Sequence, residues 1–404
     1  MHLPSSWNLA RDVVFFGWWV ALNSKCASLS GVRKALVLAV AASLAFALRI
    51  WAQTFPYNYD FTAYVAVSDQ VLAGENPYET GKHNYGPIWF MVHSAIRLVA
   101  EETSQFRIAL AALFALVDIS IAVLLMKRGY LPAAVLFLLA PVGIAISGQH
   151  GQFDNISIAF ALGAALLLGR GSGRLVSKDL ASVVLMGLSL STKHGFLLLP
   201  IWFALMQGTW MRRAFYAVAP YVLFGLTLFP FWLINSEPIS EHVLNYRSNT
   251  NAPAYYTLLP QELVWGWVNR GYIVFIFLAV LAALGWWYRR LPAFEATLIY
   301  GISLVVFSTA VVDQYFAIPM AGISVFLNVG FLIWLIYVSI YLLGEPEDFN
   351  LPIFDTLKLH LAPYQEGTYR DQFVYIFLGW IIMNIWLWRQ GWIAGRAGHS
   401  STKA

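Results

Sequence analysis

Charge is scarce in this sequence. Only 11% of its 404 residues are Asp, Glu, Lys or Arg, while 59% are hydrophobic and the mean hydropathy is +0.64. A water-soluble domain needs far more charge to cover its surface, so the composition points to a membrane protein. Cysteine is scarcer still. Cys26 stands alone, which excludes an internal disulfide and a cysteine metal cluster. No His-x-x-x-His run occurs, so no metal and no other cofactor is expected. A clustered basic patch is also missing. The Lys and Arg residues come in scattered pairs for a net charge of +4, which gives nucleic acid nothing to grip. No internal repeat divides the chain, as repeats often do in transporters. Residues 13–22 are apolar without an A-x-A-like cleavage site after them, so the first spanning helix is expected to serve as an uncleaved signal.

What remains is apolar and aromatic. Aromatic residues make up 16%, with 17 Trp, which suits rings anchored at membrane interfaces. A span needs about 20 residues. Candidates lie near 35–53, 106–126, 131–147, 155–169, 178–192, 195–209, 214–234, 272–288, 293–311 and 372–390. The charge-free run 314–344 reads as one tilted helix or as two short ones meeting near Asn328–Gly330. The two-helix version gives an all-α polytopic membrane protein of about twelve spans in a single domain, 1–404, with both termini inside.

Orientation follows from Lys and Arg. Arg33–Lys34, Lys127–Arg128, Arg170 with Arg174, Arg212–Arg213 and Arg289–Arg290 punctuate every second loop, as cytoplasmic loops do. The outward set is then 54–105, 148–155, 191–195, 235–271 and 313–315. Two of these are long: a first extracytoplasmic loop at 54–105 and a second at 235–271. Residues 86–100 carry His93 and Arg97 on a short apolar run, so a helix lying on the outer surface is expected there.

The polar oddities all fall in outward loops: the stretch from Asn58 to Pro87, GQHGQFDN at 148–155, STKHG at 191–195, NYRSNTNAPAYY at 245–256 and DQYF at 313–316. Polar groups at membrane depth are costly unless they line a cavity or site. Asp60, between Tyr59 and Phe61, suits a base that takes a proton from a hydroxyl, its pKa raised by aromatic walls. The plain alternative is a solvated loop aspartate. Asp69 and Glu75 read as exposed or structural. Gln149, His150, Gln152 and Asp154 offer donors and acceptors matched to sugar hydroxyls, or Asp154 caps the next helix with help from Asn155. Lys193, beside His194, faces outward against the charge rule and wants an anion such as a lipid phosphate, unless it snorkels to the interface. Arg247, beside Tyr246, makes the same argument or is an exposed loop arginine. Asp313, Gln314 and Tyr315 bind sugar or cap helices.

Taken in order, these motifs resemble the integral-membrane GT-C glycosyltransferases that use polyprenyl-phosphate-linked sugars. Asp60 with Tyr64, then Leu72-Ala73-Gly74-Glu75-Asn76-Pro77-Tyr78, is similar to the D-x-x-x-Y…G-x-x-P-Y pattern of the bacterial polyprenyl-phosphate mannosyltransferase branch. Tyr85-Gly86-Pro87-Ile88 is similar to the Y-P-P-L run of that branch and of the dolichyl-phosphate-glucose glucosyltransferases. The segment 148–155 resembles G-H-F-Q-Y-N and G-Q-x-D segments, Thr192-Lys193-His194 a lysine-bearing turn, and Gln314-Tyr315-Phe316 the Q-Y-F of the first GPI mannosyltransferase. Two departures stand out: Tyr-Gly-Pro replaces Tyr-Pro-Pro, and the histidine sits between glutamines and glycines.

The resemblance spans roughly residues 35–320. It implies surface-lying helices in the first outer loop and Asp60 as the base, with Lys193, Arg247 and His194 on the donor phosphate. Tyr64, Tyr85, Gln149, His150, Gln152, Asp154, Asp313, Gln314 and Tyr315 are then left for sugar or acceptor. The expected partners are a polyprenyl-phosphate sugar, a glycan or glycolipid acceptor and membrane lipid, at the extracytoplasmic face of a bacterial inner membrane. A lipid-linked glycan flippase and a polymerase or ligase of lipid-linked glycans stand as alternatives.

Overall fold

A computed structural model of the chain describes residues 17–169, 175–245, 272–308, 312–344 and 366–393, with Phe349, Leu351 and Ile353. Among these residues the regular structure is entirely helical. Arg170, Arg174 and Arg247 lie outside the described residues.

Gly31–Ala52 begins where the Ser30 hydroxyl accepts from the Arg33 amide, an ordinary N-cap. Its Leu38, Ala41 and Ala45 are buried, whereas Val32, Leu36, Val40 and Leu44 recur every turn along an exposed stripe. Trp210–Ile234, capped by Thr209, likewise exposes Val218, Val222, Leu226, Phe229 and Leu233. Each large apolar side chain left in water forfeits roughly 1.5–3 kcal/mol, so stripes of this length belong against lipid. These two helices and Thr103–Lys127 are the three among the described residues long and apolar enough to cross a membrane.

The expected count of spans does not appear in the helix lengths. Asp154–Leu167, Ser177–Thr192, Tyr272–Tyr288 and Ala293–Phe307 hold 14 to 17 residues. At 1.5 Å per residue they reach about 21–26 Å, short of a hydrocarbon core of about 30 Å. The segment 131–147 breaks at Pro141 into two helices bent by 51°, because proline lacks the amide and crowds the preceding turn. The segment 195–209 opens with a tight turn at His194–Phe196 before the helix Leu199–Leu205. The run 314–344 divides as one expectation had it, into Met320–Val325 and Val329–Gly344. Asn328 makes the joint: its side chain accepts from the Gly330 and Phe331 amides and donates to the Gly379 carbonyl. A further helix, Gly17–Ala27, docks by donation from Trp19 Nε1 to the Ser324 carbonyl, at 3.0 Å.

Small polar residues hold the centre. Asp154–Leu167 packs along Ser177–Thr192, where Ser157 and Ser189 place their hydroxyls 2.8 Å apart and each donates to the other's carbonyl. Such residues let backbones approach closely in a membrane interior.

The first loop folds as two short helices, Tyr59–Leu72 and Pro87–Val99. The second has 13 residues, about 20 Å, and buries Trp89, Phe90, His93 and Ser94 on one face. Gly86 seats it on the bundle: a Cβ there would stand 2.1 Å from the Ser191 carbonyl oxygen. Gly86→Ala is expected to push the helix off the bundle and to destabilise the chain by about 1–3 kcal/mol, read as a lower unfolding midpoint in detergent. An unchanged midpoint would show that the close approach is dispensable.

Candidate active site

Asp60 sits in the first turn of the Tyr59–Leu72 helix, where Asn58 caps the amides of Asp60 and Phe61 at 3.1 and 3.4 Å. The chain leading to it is pinned from two sides. The Pro56 carbonyl accepts from Gln149 Nε2 at 2.6 Å and from Arg107 at 3.3 Å, and Arg107 also holds the Phe55 carbonyl at 2.7 Å. Below, Phe61 packs on Phe106 with ring centres 5.7 Å apart.

Two side-chain amides converge on one oxygen of this carboxylate. Gln152 Nε2 donates to Asp60 Oδ2 at 2.5 Å, and Gln314 Nε2 donates to the same atom. Among the described residues no protein donor meets Oδ1, and Asp60 is half-buried rather than sealed. Burial pushes its pKa above the usual 3.8. The Gln152 bond, His150 and Lys193 pull it back, and Asp154 adds to the rise. The amides therefore orient a carboxylate whose surroundings strengthen it as a base.

Lys193 lies next door. It is only 5% exposed and pairs with Asp154. Its ammonium stands 5.4 Å from the ring centres of Tyr85 and Phe153 and 5.0 Å from that of Tyr315. This is a cation held by one carboxylate and three π faces, so the snorkelling alternative fails. The cap alternative for Asp154 fails too: Phe153 occupies the cap position, no side chain caps the helix there, and Asp154 spends its charge on Lys193.

A cavity of about 230 Å³ opens beside this lysine. Tyr85, Lys193, His194 and Tyr315 form its polar end, and mostly apolar side chains such as Phe277, Leu281, Leu304 and Ile318 line the rest, with Tyr300 and Ser308 among them. It runs between the helices Tyr272–Tyr288 and Ala293–Phe307.

The aromatic wall is built from the first loop. Trp89 stacks on Phe153 with centres 4.4 Å apart, and Tyr64 meets Trp89 edge-on at 5.0 Å. Tyr64 also stacks on His93, whose Nδ1 lies 2.6 Å from the Ser68 hydroxyl. Tyr85 is fixed by donation from the Tyr78 hydroxyl to its carbonyl, at 3.1 Å. Burial lowers His83 to about 4, leaving a neutral ring whose Nε2 lies 3.3 Å from the Gly86 carbonyl. Burial, with Asp60 adding to it, pushes Tyr64 and Tyr85 well up, so both keep their phenolic protons.

The structure thus brings together Asp60, Tyr64, Tyr85, His150, Gln152, Asp154, Lys193, His194, Gln314 and Tyr315. Two residues assigned to sugar are spent differently: Gln149 supports the chain before Asp60, and Asp313, 7% exposed, accepts from the Tyr341 hydroxyl at 3.2 Å. Asp69, read as exposed or structural, binds Arg97 at 3.0 Å.

Sequence reading missed one group. Arg49 and Asp118, both fully buried, pair at 2.8 Å between two of the helices long and apolar enough to cross a membrane. Ser147 donates to Asp118 Oδ2 at 2.8 Å and Asn155 to Oδ1 at 2.5 Å. The available signal was a charge of opposite sign inside each of two apolar spans.

Among the described residues no group of three or more His, Cys, Asp or Glu side chains could hold a metal ion. Comparison of the chain with known protein families, curated proteins and solved structures gives no match.

Proposed function

We propose that this chain is an inverting glycosyltransferase of the GT-C type. It moves a hexose, mannose or glucose, from a polyprenyl-phosphate donor to a glycan or glycolipid acceptor at the extracytoplasmic membrane face. The observation that carries the reading is the juxtaposition of a raised, half-open carboxylate with a buried lysine at the polar end of an apolar cavity.

In this reading Asp60 Oδ1 takes the acceptor hydroxyl proton as the acceptor oxygen attacks the anomeric carbon. The carbon–oxygen bond to phosphate breaks on the opposite face, and the lipid phosphate leaves with the electron pair. Lys193, close to the departing phosphate, stabilises its charge in a low-dielectric setting. The polyprenyl chain occupies the cavity that runs from Lys193 between the helices. The short helices complete about twelve crossings, accommodated by local thinning of the bilayer, with the basic loops in the cytoplasm of a bacterial cell.

A panel of radiolabelled polyprenyl-phosphate sugars, offered with membrane acceptors to the purified full-length chain, tests this directly. Transfer from one donor is expected, with inverted anomeric configuration in the product. Retained configuration would overturn the single-displacement step. If no donor reacts, the lipid-linked glycan transporter takes the lead, and flux of labelled lipid across proteoliposomes becomes the measurement.

A further inference from the structure

We propose that Asp118 is a positioning residue: from inside the membrane bundle it fixes both ends of the 148–153 loop and, through Gln152, sets the placement of Asp60. The catalytic value of that placement rests on the transferase reading; the placement itself does not.

Asp118 binds more than its charge requires. Arg49 alone would satisfy its charge, with Nε and Nη2 at 2.9 and 2.8 Å from Oδ2. Asp118 also accepts from Ser147, immediately before the loop, and from Asn155, the second residue after it. Arg49 in turn donates to the Ala45 and Leu138 carbonyls and to the Ser147 hydroxyl, so the pair is fastened to three elements. A buried ion pair is weak evidence for stability, because well-packed apolar residues of the same volume often serve as well or better. Ionisable groups at membrane depth point to a role, and here both of the bonds that Asp118 accepts beyond Arg49 come from the residues flanking one loop.

The loop has no slack. Gln53 donates to the Gly148 carbonyl. Gly148 lies so close to the Gly31–Ala52 helix that a Cβ would stand 3.2 Å from the Arg49 Cα, and Gly151 adopts φ +68°. A π-helical turn over Ile144–Gln149 delivers the chain to this point, and such turns mark functional sites often. From the loop so held, Gln149 reaches back to Pro56, Gln152 to Asp60 and the adjoining Asp154 to Lys193. Every contact between the loop and the candidate site thus starts from a segment whose two ends Asp118 holds.

The test reads Asp60 without any sugar donor. Dicyclohexylcarbodiimide modifies protonated carboxyl groups in apolar surroundings, so the pH at which half of Asp60 reacts, followed by peptide mass spectrometry on the purified full-length chain, reports its protonation. The groups facing Asp60 are His150, Lys193, Asp154 and the phenols of Tyr64 and Tyr85, and none is altered in the variants. Gln152→Leu is the reference and is expected to raise the midpoint by about one pH unit, the worth of one hydrogen bond to a carboxylate. Asn155→Leu leaves the Arg49–Asp118 pair intact and is expected to raise it by roughly half a unit or more, in the same direction. Because Asn155 would act through Gln152, the double variant is expected to shift no further than Gln152→Leu alone. The paired change Arg49→Met with Asp118→Leu, which removes both charges at once, is expected to reproduce the Asn155→Leu shift. A wild-type midpoint in Asn155→Leu, or shifts that simply add in the double variant, would overturn the proposal. Labelling that behaves as expected in a protein that transfers no sugar would remove the transferase reading and leave the positioning intact.

Discussion

Asparagine in place of Asp60 is expected to slow transfer from the reactive donor by ~10²–10⁴-fold, the usual worth of a general base. The substitution is nearly isosteric, so the Asn58 cap and the Phe61 packing stay in place, and donor KM should hold because Lys193 and the cavity are untouched. The pH dependence supplies a second signature. Burial raises the folded Asp60 above 3.8, and only its carboxylate form can take a proton. The wild-type rate should therefore climb with pH along an acid limb displaced upward from the ordinary aspartate range, and the residual rate of the Asp60→Asn variant should lack that limb. Full activity in Asp60→Asn would move the base to Asp154, the other carboxylate of the cluster.

Removing the Arg49 charge alone is expected to produce a large loss of stability. Arg49→Met leaves Asp118 buried among apolar helices without its cation, a defect of about 3–5 kcal/mol. The signal is a collapse of the folded fraction in a detergent thermal scan. Adding Asp118→Leu should restore most of it, since two apolar side chains of similar volume replace the pair. A single variant as stable as the double would mean that Asp118 takes up a proton or reaches water, and that the pair contributes little.

The membrane class was legible from composition, and the break of 314–344 near Asn328 was legible from one polar residue in a charge-free run. Helix lengths were not, because hydropathy windows average over Pro141 and the His194 turn, where the backbone changes direction. In the candidate site, residue types were readable and pairings were not. Lys193 and Asp154 were each assigned a partner elsewhere, yet they satisfy one another, since 39 positions of sequence separation conceal a contact that two neighbouring helix ends create. Gln152 and Gln314 looked like sugar ligands because an amide suits a hydroxyl; folding aims both at Asp60, a carboxylate that would otherwise lack donors. Arg49 and Asp118 escaped notice because one charge scarcely lowers the mean hydropathy of a 22- or 25-residue helix.

The bond from Gln314 to Asp60 closes a separation of 254 residues. At 5–20 residues per second of synthesis, that separation lasts roughly 13–50 s. By the end of this interval the first loop and its aromatic wall have been made, and Asp60 has Gln152 within reach but not its second amide. Completion of the carboxylate's surroundings then comes late in synthesis, with Met320–Val325, Val329–Gly344 and Glu366–Arg389 still to follow, and a chain arrested before residue 314 carries a well-stocked but unfinished pocket.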